Sequence, residues 1–328
     1  MRVEAIQFRG AGGVEVIALG ETDVRLPGPG EVAVEIAAAG VNRADLLQRR
    51  GLYPPPPGVV ADVPGLELAG HVVVRGEGAA RWQVGDAVMA VVPGGAMARR
   101  IVVHERELIP IPAGLSLTDA AAIPEVFITA WDAFAQAGLR AGETVLIHAA
   151  ASGVGTAALQ LARAMGARAL GTSRQSAKLA GLGRFGLAPG DGLAVTDGRF
   201  ATGVMARSGH GADVILDCVG AAYFEENLRA LAARGRMVMI GTLGGATGPA
   251  PVGMLLGKRA TVIGTVMRAR PLEEKLAVAQ AAAARLVPMF ARGLLTPVVD
   301  RVLPMRACAE AHAALERDET VGKIVLAW

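Results

Sequence analysis

Cysteine is almost missing from this chain: Cys218 and Cys308 are its only two. No Cys-x-x-Cys pair exists, which excludes a thiolate zinc site. A disulfide framework is not expected either, as suits a reducing cytoplasm. Charge is also scarce, with 19% charged residues and a net charge of +3. The basic residues are scattered, whereas nucleic-acid binding needs them clustered, so no nucleic-acid partner is expected. His71, His104, His148, His210 and His312 show no His-x-x-x-His spacing, and no Gly-x-Ser-x-Gly is present, so neither a histidine metal pair nor a serine-hydrolase elbow is read. Long apolar runs are absent as well. Residues 144–162 and 237–257 carry no Asp, Glu, Lys or Arg, but Gly, Ser, Thr and Pro interrupt them, so they read as buried strands joined by loops and no membrane span is expected. The opening MRVEAIQFRG lacks the apolar segment of a secretory signal, and a cytoplasmic location is expected.

What the chain has in plenty is apolar residues, 52% of its 328, and glycine, 43 in number. Its length allows two domains of ordinary size. The first part is β-rich: 31–40, 71–78, 86–93 and 99–108 are β-branched runs bounded by Gly or Pro. Between them, 42–50 has helical spacing with Gly51 as its stop, followed by the rigid LYPPPPG loop. The segment 116–138 reads as helix with Ser116 or Thr118 as N-cap and Gly138 as stop, kinked or divided at Pro124. Strands then alternate with helices: strands at 144–148, 168–172, 193–196, 213–219, 235–241 and 260–265, helices at 153–165, 174–181 and 222–233. Such alternation predicts an α/β fold, a doubly wound parallel sheet of six strands with helices on both faces. Helices near 272–292 and 306–317 and a final strand in GKIVLAW follow, the strand expected to rejoin the first domain.

The strand–loop–helix at 145–156, VLIHAAASGVGT, sits where a dinucleotide cradle belongs. That cradle needs a sharp turn, close backbone approach to a pyrophosphate and a helix N-terminus facing the anion. Ala150 and Ser152 stand at two positions where glycine is usual, while Gly153 and Gly155 remain. The alternative is a strand–turn–helix that holds no ligand. At the end of the second strand, where an acidic residue would accept the ribose 2′-hydroxyl, the sequence offers Ser173, Arg174 and Lys178. A hydroxyl and two cations attract a 2′-phosphate, so NADP(H) is expected over NAD(H). The alternative is that Arg174 and Lys178 belong to a solvated helix face.

AGVNRADLLQRRGLYPPPPG, PGLELAGHVV, VGDAVMAVVPGGAMA, AAAIPEVFITAW, LIHAAASGVGTAALQLA, ILDCVG and GKIVL together resemble the quinone oxidoreductase/ζ-crystallin branch of the zinc-free medium-chain dehydrogenase/reductase superfamily. The similarity spans nearly the whole chain. It implies a GroES-like β-rich catalytic domain at 1–122, a Rossmann NADPH-binding domain at 123–270 and a C-terminal segment, 271–328, returning to the catalytic domain. It also implies an active cleft between the domains and a homodimer. Zinc-using cousins place a cysteine near the position of Asn42 and a Gly-His-Glu segment where this chain has Gly65-Leu66-Glu67. Leucine cannot ligate a metal, so no metal site is expected.

By the same resemblance, Asn42 and Tyr53 match residues lining the nicotinamide end. Thr129 matches a cofactor contact, Ser152, Gly153 and Val154 the pyrophosphate loop, and Ser173 and Lys178 the 2′-phosphate contacts, beside which lies Arg174. Gly241, Leu243 and Gly244, and Val266, Met267 and Arg268, match loops beside the adenosine and the nicotinamide. The family often sets a tyrosine near the third strand against the 2′-phosphate. Here LAVTDG has none, and Tyr53 and Tyr223 are the only tyrosines. The implied chemistry is hydride transfer from NADPH to a quinone or conjugated enone, with donor and acceptor held face to face. Tyr53 is read as a hydrogen-bond donor to the acceptor, or as a packing residue at the head of the proline loop. Asn42 is read as orienting cofactor or substrate, or as an N-cap. Asp45, Glu67 and Glu125 are read as structural ion-pair partners. Two other functional readings stay open: a 2-alkenal or enoyl reductase, and a crystallin-like protein that binds NADPH without turnover.

Overall fold

A computed structural model describes all 328 residues. The chain forms two compact units, one of residues 1–128 with 267–328 and one of residues 129–266. No helix is long and apolar enough to cross a membrane.

The first unit opens with β1 (Arg2–Phe8) and β2 (Ile17–Asp23), an antiparallel pair that sequence periodicity did not reveal. Then come β3 (Glu31–Gly40), α1 (Arg43–Arg49), β4 (Glu67–Arg75), β5 (Ala87–Val91), β6 (Arg100–His104) and β7 (Ile109–Pro110). The helical segment at 116–138 is indeed divided at Pro124. α2 (Leu117–Ala120) is capped by Ser116, whose Oγ accepts from the Asp119 N–H at 3.1 Å. α3 (Pro124–Ala137) begins on the proline, where the missing N–H costs no helical hydrogen bond.

The second unit holds β8 (Thr144–Ile147), α4 (Gly153–Ala164), β9 (Arg168–Ser173), α5 (Ser176–Ala180), β10 (Gly192–Ala194), α6 (Ala201–Ser208), β11 (Ala212–Asp217), α7 (Phe224–Ala230), β12 (Leu231–Met239), α8 (Val252–Lys258) and β13 (Thr261–Gly264). Its six strands lie in the order β10-β9-β8-β11-β12-β13 with every neighbouring pair parallel. This is the doubly wound Rossmann-type sheet, and its strand order reverses between β8 and β11. Leu146, Leu170, Ile215 and Met237 fill one side of its core with Phe200 and Val204. The expected helix over 222–233 is shorter, because the chain turns into β12 at Leu231 and takes a left-handed conformation at Arg234 (φ 62°). α6 and α8 are two further helices, of eight and seven residues.

The chain then returns to the first unit as α9 (Leu272–Ala291), β14 (Val299–Pro304), α10 (Cys308–Glu316) and β15 (Lys323–Ala327). β15 pairs antiparallel with β3 through Val325–Gly40, Leu326–Ala39 and Ala327–Ala38, as expected of GKIVLAW. The seven-stranded sheet runs β14-β15-β3-β4-β5-β7, with β6 also on β3. Val34, Ile36, Leu68, Val88, Ile324 and Leu326 build its core. This closure carries Lys323 to the start of α1.

Candidate active site

In the second unit the candidate residues gather at the carboxyl edge of the parallel sheet. β8 ends at Ile147, and α4 starts six residues later behind Ser152, whose Oγ accepts from the Gly155 N–H at 3.0 Å. Ser152 is thus an N-cap, with Gly153 and Val154 forming the first turn at the strand-order reversal, where an anion meets free helical N–H groups. A Cβ on Gly155 would lie 2.4 Å from the Ala149 carbonyl oxygen and 2.6 Å from the Ala150 carbonyl carbon. Glycine is therefore required for α4 to approach the loop. The alanine at 150 is accommodated from the other side, since a Cβ on Gly171 of β9 would come within 2.8 Å of the Ala150 Cβ. Ala149 is held at φ 49°, a left-handed strain for a residue with a side chain.

Ser173 ends β9, and its Oγ accepts from the Gln175 N–H at 3.1 Å. Arg174 is exposed, and Lys178 of α5 is half-buried. Tyr223 lies within electrostatic reach of Arg174, which opposes the upward push of burial on the phenol. Gly241, Leu243 and Gly244 follow β12, and the Leu243 and Gly244 N–H groups donate to Cys218 O (3.2 Å) and Val219 O (2.7 Å) after β11. Leu243 and Val266 are exposed apolar residues at this edge, 51% and 46% accessible. Thr129 sits in α3, partly buried. A buried network supports the edge from below: His148 bonds Thr172 Oγ1 (2.9 Å) and Asn227 Oδ1 (2.6 Å). Burial drives the His148 ring down to about 4, so it is neutral. Asp217 accepts from the Val219 and Gly220 N–H groups and is raised by burial to about 6.

The first unit brings together Asn42, Tyr53 and Arg268. Asn42 is the N-cap residue of α1 and forms a capping box with Asp45. The Asp45 carboxylate takes the Asn42 N–H at 2.8 Å and the Gly65 N–H at 3.1 Å. Asn42 Nδ2 donates to Glu67 Oε1 at 3.0 Å, and Asn42 Oδ1 accepts from Lys323 Nζ at 2.5 Å. Lys323 also donates to Val41 O and forms an ion pair with Glu67 at 2.6 Å. Both side chains of that pair are nearly fully buried, 4% and 0% accessible. The other Glu67 oxygen accepts from the Glu125 backbone N–H at 2.9 Å.

Arg268 is buried and donates to Pro93 O, Tyr53 O and Gln48 Oε1 at 2.7, 2.9 and 2.6 Å. Its guanidinium lies 4.8 Å from the Tyr53 ring centroid. It pins the Tyr53 loop from below by charge-assisted hydrogen bonds and a cation–π contact. Met267 is its neighbour in the chain and belongs to the same unit. Burial, then Glu125, raises the Tyr53 phenol, so it is a protonated donor. Of the three carboxyl groups read as ion-pair partners, Glu67 has its lysine and Asp45 is held by backbone amides. Glu125 has neither, and burial followed by the Glu67 charge pushes it up to about 8. No local pattern links Lys323 to Asn42, because 281 residues separate them.

An alcohol dehydrogenase GroES-like domain model matches residues 28–113, and a zinc-binding dehydrogenase model matches residues 193–326. A quinone oxidoreductase of Pseudomonas aeruginosa is 33% identical over 335 residues, covering 98% of each chain. Three solved structures share the fold at a TM-score of 0.87. A quinone oxidoreductase of Pseudomonas syringae pv. Tomato DC3000 is 30% identical and covers 99% of this chain and 100% of its own. An NAD-dependent alcohol dehydrogenase is 30% identical and covers 99% of both. The JamJ enoyl reductase is 27% identical and covers 100% and 99%.

Proposed function

The chain belongs to the quinone oxidoreductase branch of the medium-chain dehydrogenase/reductase superfamily, and from that premise we propose that it is a zinc-independent NADPH:quinone oxidoreductase. That it is an oxidoreductase with a nicotinamide dinucleotide follows from the family and from the dinucleotide-binding fold. The observation that carries the finer reading is the group at the carboxyl end of β9, where a serine and two cations stand and no carboxylate does. Ser173, Arg174 and Lys178 would hold a 2′-phosphate. Ser152, Gly153 and Val154 would hold the pyrophosphate, with Thr129, the Gly241–Gly244 loop and the Val266–Arg268 segment as further contacts. Gly155 and Gly171 let α4 and β9 pack closely against the loop, the packing that a dinucleotide cradle requires.

When bound, the dinucleotide supplies a hydride equivalent. The protein's part is to orient and to supply protons. Asn42, locked between Lys323 and Glu67, presents a fixed amide. Tyr53, held by Arg268, offers a phenol to a reduced oxygen. The residues do not fit a zinc ion: Leu66 has no ligand atom, Asn42 Oδ1 is taken by Lys323, and Glu67 already has its countercharge. We propose no metal step. A cytoplasmic homodimer, with small-molecule quinones or enones as its other partners, completes the reading.

The likeness to an enoyl reductase supports a second reading, reduction of a conjugated C=C bond. Titration with NADPH and NADH, then turnover with an ortho-quinone, a para-quinone and an enone, separates them. Tighter NADPH binding with quinone turnover is expected. Preference for NADH removes the 2′-phosphate reading, turnover of the enone alone favours the second, and binding without turnover favours a non-enzymatic role.

A further inference from the structure

Three carboxyl groups, Asp45, Glu67 and Glu125, share the Asn42–Tyr53 cluster with two cations, Lys323 and Arg268. Both cations are engaged away from Glu125. Lys323 is bonded to Glu67, Asn42 and Val41. Arg268 is bonded to Pro93, Tyr53 and Gln48. Asp45 has two backbone donors. Glu125 contributes only its backbone N–H to this network, at the first turn of α3, and no protein donor or countercharge pairs with its carboxyl. The residue is partly accessible, and its carboxyl lies within electrostatic reach of the Tyr53 phenol. A desolvated carboxyl group beside a paired carboxylate keeps its proton.

We propose that Glu125 is a catalytic acid, the group that delivers a proton to the reduced substrate. This rests on the functional reading above. Two-electron reduction of a quinone by hydride leaves a hydroquinone monoanion, and reduction of an enone leaves an enolate. The Glu125 O–H bond breaks, a new O–H bond forms on the hydroquinone, or a C–H or O–H bond on the enolate product, and the electron pair of the broken bond stays on the carboxylate. The substrate gains two electrons, the dinucleotide loses them, and water returns the proton to Glu125. The neutral acid serves this role at neutral pH because burial, then the Glu67 charge, raises it to about 8. The groups facing it, Glu67, Asp45, Lys323, Arg268 and Tyr53, come from β4, α1, β15 and the flanking loops.

Glu125→Gln tests it, read in three ways. Steady-state turnover of the variant is expected to fall about a hundredfold in kcat with KM and NADPH affinity unchanged. Wild-type kcat is expected to fall as pH rises through about 8 while the variant's profile is flat there. Without any cofactor, the infrared spectrum of the wild type at pH 7 is expected to show a protonated-carboxyl C=O band that fades by pH 9 and is absent from the variant. Glu125→Asp is expected to recover part of the rate. A variant with wild-type kcat and pH profile, in a protein that does reduce quinones, overturns the acid role alone. So does a wild-type spectrum lacking that band at pH 7, which needs no variant to fold. Wild-type protein that binds NADPH yet reduces neither quinone nor enone overturns the functional reading, and the acid role with it.

Discussion

Lys323 Nζ stands 2.6 Å from Glu67 Oε1, and the two side chains are 4% and 0% accessible. One comes from β15 and the other from β4, so the pair ties the end of the chain to β4, and both members bond the Asn42 amide. Replacing one member strands the other charge in a dry site. Lys323→Met is expected to lower unfolding stability by about 3–5 kcal/mol, read by urea denaturation. Adding Glu67→Gln to it is expected to restore most of that loss. Equal stability of Lys323→Met and wild type would show that the pair is solvated.

The cradle makes a sharper steric prediction. At Gly155 a methyl group meets backbone atoms at 2.4 and 2.6 Å, and backbone cannot swing aside. Gly155→Ala is expected to weaken NADPH binding at least about tenfold, or about 1.4 kcal/mol, in a nucleotide fluorescence titration. Gly253→Ala is the control, because nothing lies within 4 Å of its added Cβ in α8. That variant is expected to bind as wild type and to gain up to about 1 kcal/mol of helix stability.

Selectivity for the phosphorylated cofactor rests on Arg174 and Lys178. Arg174→Ala and Lys178→Ala are each expected to weaken NADPH about tenfold and to leave NADH unchanged. The measurement is the ratio of the two dissociation constants at fixed, low salt. Equal losses for both cofactors, or none, would mean that these cations serve the helix surface only.

His148 gives a pH-dependent prediction. Its ring is neutral in the folded protein down to about 4, against an ordinary value of 6.5. The unfolded chain takes up the proton first on acidification. The stability this residue contributes is therefore complete above pH 6.5 and is lost as pH falls to about 4. That interval corresponds to about 3 kcal/mol. The stability difference between wild type and His148→Gln is expected to shrink by about that amount between pH 7 and pH 4, followed by chemical denaturation. A constant difference would contradict the neutral, buried ring.

Much of this protein was already written in local pattern. The division at Pro124, the Gly51 and Gly138 stops, the alternation of β8 through β13 and the Ser152 cradle follow from residue type and spacing, because turns, caps and strand periodicity act over a few residues. The absence of cysteine pairs and of histidine spacing narrowed the chemistry in the same local way. What spacing could not supply is which polar groups meet after folding. Asn42 reads as an N-cap from its neighbours and is one, and only the fold shows its amide also meeting Lys323, 281 residues away. Glu67 and Glu125 are alike as residues. The sheet closure by β15 gives a lysine to one and not to the other, and burial beside that lysine-paired group raises the Glu125 carboxyl.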